Sequence, residues 1–415
     1  MRTFIIGAGA SKAYDLSPTN CTMPIANDFF KTFEKLDIST DLRVLIGDII
    51  NIGKNDFGID FYSFFSSSFD IEDFHTYIEK KLIKQMQEDI IYKNIHYYKA
   101  YLQLIFLYTS IINEIQNGPI SKAHIQLIKS LRKDDSIITF NWDTLLDRAL
   151  SEHTHWAADF GYCLTPEKIY RDKWVSPEIK KEDFNKLIKL HGSTNWLTTY
   201  PQPDKDNLLK LNQKIDNSCF YIYEHTNSPY HCYDGRFEGP YEPFSYFYYP
   251  PNILDDIELD TNKDKVMFKA GVLNQPESQK LYEEMFGIKL NIPKRVNLEQ
   301  GIVTMPLIIP PVKDKKYTLF ANLFIELWDV AKQEIINASE IFIIGYSFPK
   351  TDTRTIKLFE EAFCEKKDFP KIIIVNPEPD NIIELFKMKF GIPMDNLTIY
   401  KEYFNADFDF DKFNT

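Results

Sequence analysis

The sequence predicts an α/β protein with a doubly wound parallel sheet, and three observations carry that prediction. Short β-branched runs bounded by turn residues recur at 3–6, 136–140, 187–190, 302–309, 341–344 and 372–375. Polar residues barely alternate inside them, as in strands buried on both faces of a parallel sheet. Helical patterns follow directly at 143–150 and 352–363, which makes repeated βα units.

The first run leads straight into Gly7-Ala8-Gly9-Ala10-Ser11. Glycines there let the backbone turn tightly and present N–H groups to a phosphate. A hydride-transferring dehydrogenase would carry a third glycine where Lys12 stands, and a ribose-binding acid after a second strand about twenty residues on. The chain has neither, which disfavours that class.

Residues 21–129 read as a helical insertion. Apolar residues return every three or four positions in Ile78, Leu82, Ile83, Met86 and Ile90, and again in Tyr101, Leu104, Ile105, Tyr108, Ile111 and Ile115. These stripes are read as core packing rather than as a cofactor lining. The next strand ends in Thr139-Phe140-Asn141-Trp142-Asp143, which puts an amide and a carboxylate at the sheet edge where open α/β folds bind ligands. Taken alone, Asp143 is a helix cap and Asn141 a turn residue. The third strand closes in Leu190-His191-Gly192-Ser193. Its imidazole is either a satisfied loop histidine or a general base working near neutral pH.

A second insertion, 198–299, contains CFYIYEHTNSPYHCYDGRFEGPYEPFSYFYYPP. Its prolines and glycines forbid a long helix, so irregular loops with short strands are expected. Packing against the sheet is the first use for its rings, a subunit interface the second, and base stacking on single strands a distant third. A helix at 317–336, with Phe320, Leu323, Phe324, Leu327, Ala331 and Ile335 on one face, returns the chain to the sheet. The last strands close in Gly345-Tyr346-Ser347-Phe348-Pro349 and Val375-Asn376-Pro377-Glu378. The tail, 405–415, mixes acids with phenylalanines and is read as frayed or docked on a neighbouring subunit.

A net charge of -12 opposes the counterion release that drives non-specific nucleic-acid binding, so nucleic acid is not expected as a direct partner. The apolar start meets glycines too early for a signal peptide, and no run approaches a membrane span, so a cytoplasmic protein with no membrane partner is expected. The 5 cysteines form no C-x-x-C pair. The one cluster, Cys219, His225, His231 and Cys232, has adjacent ligands at 231 and 232 that rarely point at one ion. Reduced thiols and no metal are expected.

Taken in order, GAGAS, TFNWD, KLHGS, GYS and VNPE resemble the sirtuin superfamily, whose members bind NAD through GAG[IA]S, T-x-N-x-D, HG, GxS and a late (I/V)N motif. The resemblance covers a Rossmann-like core at 1–20, 130–197 and 300–404 and leaves both insertions outside. It implies that Ala8, Gly9 and Ser11 cradle the pyrophosphate, and that Gly345, Ser347 and Asn376 hold the adenosine half. Asn141 and Asp143 would face the nicotinamide ribose and carboxamide, and His191 the ribose hydroxyls.

Two departures separate the chain from protein-deacylating sirtuins. It lacks their zinc module of two C-x-x-C pairs, and it has Met23-Pro24-Ile25-Ala26-Asn27-Asp28-Phe29 where they carry a Pro-Asp-Phe-Arg stretch. The FPKTD after GYS and the helical insertion look like the bacterial sirtuin-like NAD hydrolases of antiviral defence. That resemblance implies cleavage of the nicotinamide–ribose bond, with Asn141 positioning a water, His191 as base and Asp143 on the carboxamide. It also implies a homo-oligomer working with an ATPase, a sensor or a phage-derived activator. The rivals are a protein deacylase or ADP-ribosyltransferase, and a non-catalytic NAD or ADP-ribose sensor.

Overall fold

A computed structural model of the chain describes residues 1–36, 47–60, 63, 70–88, 96–166, 168–171, 184–199, 202–204, 208–210, 221–224, 304–312, 321–349, 352–410 and 412. In chain order the strands are β1 (Arg2–Ile6), β2 (Ser136–Thr139), β3 (Lys168–Arg171), β4 (Lys186–Lys189), β5 (Gly192–Thr199), β6 (Gln202–Asp204), β7 (Leu208–Lys210), β8 (Tyr221–Glu224), β9 (Thr304–Ile308), β10 (Glu340–Ile344), β11 (Lys371–Val375) and β12 (Leu397–Tyr400). The helices are α1 (Ala8–Ser11), α2 (Phe29–Lys35), α3 (Gly47–Phe57), α4 (Ile71–Gln87), α5 (His96–Gln116), α6 (Lys122–Ser130), α7 (Leu145–His153), α8 (Ala321–Asn337), α9 (Thr353–Glu365) and α10 (Asp380–Glu384).

The main sheet has 6 strands in the order β12-β11-β10-β1-β2-β4, and every neighbouring pair is parallel. Counted by appearance along the chain, this is the 3-2-1-4-5-6 order of doubly wound nucleotide-binding sheets. The chain reverses its direction of winding between β1 and β10. Because parallel crossovers are right-handed, the two wings carry their helices on opposite faces. Accordingly α6 packs on α7, and α8 on α9. The β-branched and aromatic residues of β1 and β2 are buried throughout, and Phe4 stacks on Phe342 of β10 at 4.6 Å. That two-sided burial is why these strands read as unbroken apolar runs.

One strand changes place. The run at 302–309, expected in the parallel sheet, forms β9 at the edge of a second sheet ordered β3-β8-β5-β9, antiparallel to β5. Its Pro306 has no N–H to give a ladder, which an edge strand tolerates and a central strand does not. The sixth position of the parallel sheet goes instead to β12, LTIY, whose four residues are only partly buried.

The stripes of the helical insertion do pack inward. Ile78, Leu82 and Met86 of α4 are buried, as are all six apolar residues singled out on α5. Ile83 is half-buried, and Ile90 lies outside the described residues. The helix expected at 317–336 is described from Ala321. Most of the aromatic insertion, including Cys219, His225, His231 and Cys232, lies outside the described residues; β6 and β7 form an antiparallel hairpin. Over 404–410 the end of the chain packs on its own fold. Phe404, Phe408 and Phe410 are buried on one another, and Phe404 meets His124 of α6 edge-on at 5.6 Å. Among the described residues no helix is long and apolar enough to cross a membrane.

Candidate functional site

Residues following the C-terminal ends of β1, β2, β4, β10 and β11 surround one cleft of about 620 Å³. Its position at the reversal of winding is where open α/β sheets take ligands. All nine residues singled out in the sequence, Ala8, Gly9, Ser11, Asn141, Asp143, His191, Gly345, Ser347 and Asn376, line it.

At its centre the β1 and β2 loops are joined by side chains. The Asn141 amide donates to Gly7 O at 2.9 Å and to Ser11 Oγ at 2.8 Å. Ser11 Oγ in turn donates to Asp143 Oδ2 at 2.6 Å. The other carboxylate oxygen accepts from Leu145 N at 3.1 Å in a local turn one residue ahead of the Thr144 cap, so Asp143 ties the start of α7 to the glycine loop. Asn141 Oδ1 has no hydrogen bond among the described residues, which leaves it an acceptor toward the cleft.

The backbone of this loop is equally tied. Trp142 O accepts from Thr194 N at 2.9 Å and from Ser193 Oγ at 3.2 Å, both on β5. The carbonyl of Asp143 accepts from Lys189 Nζ, and that buried ammonium also pairs with Asp147 at 3.0 Å. Tyr162 OH donates to Asp147 as well. Such a site is organised before any ligand arrives.

Across the reversal, Gly9 N donates to Gly345 O at 2.9 Å and Gly7 N to Ile344 O at 3.1 Å. Gly345 has φ +61, and a Cβ on it would lie 2.2 Å from Ala10 N, so only glycine permits this approach. These bonds limit the donors left for a ligand. The Gly9 N–H is committed to Gly345, and the one hydroxyl proton of Ser11 is committed to Asp143. Ala8, exposed at the start of α1, keeps an N–H with no intrahelical acceptor.

Ser347 is exposed between two buried rings, Tyr346 and Phe348. Phe348 has φ 52, a conformation that costs a bulky residue about 1–3 kcal/mol. Packing against Tyr346, Phe359 and Phe386 at 4.7, 5.2 and 5.4 Å holds it there. Asn376 Oδ1 accepts from Glu378 N at 2.9 Å in a local turn.

His191 sits where the chain leaves the parallel sheet for the second one. The turn needs Gly192, whose φ is +77 and whose Cβ would lie 2.1 Å from Leu307 O. The imidazole is buried and meets Phe140 edge-on at 5.2 Å, while its backbone carbonyl accepts from Ile309 N at 2.9 Å. Thus the residue that follows β9, a strand outside the main sheet, holds the backbone of the site histidine.

Several cleft residues escaped sequence reasoning. Asp352 accepts from Tyr346 OH at 2.8 Å and is buried at the start of α9. Its signal was present in FPKTD, as an acid opening a helix at the sheet edge. Lys12 pairs with Asp28 at 2.9 Å, and Asp28 Oδ1 also accepts from Ile25 N at 2.6 Å, which folds the 23–29 loop against the cleft. Asp70 caps α4 through Glu72 N at 2.7 Å, and that helix start forms a further wall. Tyr403 and Phe404, between β12 and the C-terminal tail, complete it.

Burial pushes the imidazole of His124 down to about 4, with the Asp143 carboxylate opposing the shift. Burial alone pushes His75 down to about 3. Burial also raises the Cys163 thiol to about 11. Cys21, Cys163 and Cys364 are free thiols, and among the described residues no three His, Cys, Asp or Glu side chains are grouped to hold a metal. No protein-family model matches the chain, and no curated protein is similar to it.

Proposed function

We propose that this chain is an NAD glycohydrolase, cleaving NAD between nicotinamide and ribose to release nicotinamide and ADP-ribose. One observation carries the reading: the nine residues drawn from five separated motifs meet in a single cleft at the winding reversal of a 3-2-1-4-5-6 sheet. That is where such folds take dinucleotides.

The residues present suit the chemistry. Breaking the C1′–N bond sends its electron pair to the nicotinamide ring nitrogen and builds positive charge on the ribose. The buried carboxylate of Asp143 stabilises that charge, and its remaining lone pairs can accept from the carboxamide. Asn141 Oδ1 holds the attacking water by its O–H. As the water oxygen bonds to C1′, its proton passes to His191, a step worth about 10²–10⁴-fold. Lys12, in its pair with Asp28, stands at the glycine loop where the pyrophosphate would lie.

By its resemblance to sirtuin-like defence hydrolases, the chain would be the NAD-depleting effector of an antiviral system. It would act as a homo-oligomer with an ATPase, a sensor or a phage-derived activator.

The test is incubation with NAD alone and with candidate triggers. Nicotinamide and ADP-ribose should appear in equal amounts, and acetyl-lysine peptides should not accelerate their release. Turnover that needs an acyl peptide under every activating condition would move the assignment to a deacylase.

A further inference from the structure

The cleft has two unequal halves. Asn141 and His191 follow β2 and β4, on one wing of the sheet, whereas Gly345, Ser347 and Asn376 follow β10 and β11 on the other. Strands β2 and β11 stand three spacings apart, about 14 Å. A ligand touching both is elongated, with its non-reacting end on the β10–β12 wing.

At that end stands an unexplained aromatic. Tyr403 lies just past β12, is 71% exposed, and lines the cleft together with Asn376 and Pro377. Its side chain has no hydrogen bond or ring contact among the described residues. Both sequence neighbours are nevertheless anchored. Glu402 accepts from Lys412 Nζ at 2.5 Å, and that ammonium lies over the rings of Tyr400 and Phe408 at 4.4 and 4.1 Å. Phe404 is buried against His124. The ring is therefore presented to solvent from a held backbone, so the ordering cost of stacking falls on its two χ angles alone.

We propose that Tyr403 is the stacking platform for the purine base of the dinucleotide. The inference rests on the reading of the cleft as an NAD site, and adds the residue that holds the end of the substrate remote from the chemistry. Nothing else described at that end of the cleft offers an exposed ring.

The experiment is calorimetric titration of the full chain with ADP-ribose and with nicotinamide mononucleotide, which lacks the purine, in wild type, Tyr403→Ala and Tyr403→Phe. Because the side chain is exposed, both variants should fold as the wild type does. ADP-ribose should bind Tyr403→Ala on the order of tenfold more weakly and Tyr403→Phe as wild type, since stacking uses the ring face and not the hydroxyl. The affinity for nicotinamide mononucleotide should not change, and the KM for NAD should rise by the same factor with kcat held. Equal ADP-ribose affinity in wild type and Tyr403→Ala overturns the proposal, as does an equal loss for both ligands. ADP-ribose binding that depends on Tyr403, without NAD cleavage under any condition, upholds the platform and sinks the hydrolase. A wild-type chain that binds no ADP-ribose overturns both.

Discussion

Two buried histidines make this protein acid-sensitive by a calculable amount. His75 on α4 and His124 on α6 are 0% and 1% exposed, and burial holds their imidazoles down to about 3 and about 4. In the unfolded chain each takes a proton near pH 6.5. Above that pH both states are neutral and neither residue affects stability. As pH falls from 6.5 toward 4 only the unfolded chain gains protons, so stability is lost at about 1.4 kcal/mol per pH unit for each residue. At pH 5.5 the two together cost about 3 kcal/mol, roughly a hundredfold in the unfolding equilibrium. His75 Nε2 has no hydrogen-bond partner among the described residues while Nδ1 meets Tyr108 OH at 3.2 Å, so His75→Asn keeps a partner for that buried hydroxyl, and His124→Asn preserves a bond to Ser121 Oγ, now 2.7 Å from Nδ1. The assay is urea unfolding of wild type and the double variant at pH 8 and pH 5.5. Other titrating groups cancel in the difference of differences, which should come to about 3 kcal/mol in favour of the variant at the lower pH. If both proteins lose the same stability between the two pH values, these histidines are not held neutral. The result also bears on activity, because His124 packs on Phe404 of the cleft wall.

Asn141→Ala and His191→Ala should each cut nicotinamide release at least about 100-fold while the circular-dichroism spectrum is retained. Turnover surviving in either would remove that residue from the chemistry. Gly345→Ala forces a Cβ to within 2.2 Å of Ala10 N at φ +61, and should cost about 3 kcal/mol in a denaturant titration. A variant as stable as wild type would show that the β1 and β10 loops can part freely. Lys189→Met leaves the buried Asp147 carboxylate with no counter-charge and should cost about 3–5 kcal/mol, most of which Lys189→Met/Asp147→Asn, which keeps an acceptor for Tyr162 OH, should restore. A double variant no more stable than the single would mean the loss lies in the freed Asp143 carbonyl instead.

What could be read from residues alone was what local periodicity and turn chemistry encode. Five of the six strands of the parallel sheet were legible because burial on both faces leaves an unbroken apolar run, and β12 was not because its four residues are only half-covered. The run at 302–309 was legible as a strand but assigned to the wrong sheet, and the proline that excludes it from a central position was in view. The motif residues were legible because each closes a strand, and strands of one parallel sheet end on one side. What the residues do to one another was not. That Ser11 gives its only proton to Asp143 and that Gly9 spends its N–H on Gly345 are contacts across 132 and 336 positions, and Tyr403 reaches the same cleft from beyond the last strand. Strand periodicity is a property of a few neighbouring residues. Which donors remain for a ligand depends on hydrogen bonds closed between distant loops, and only the folded chain brings those loops together.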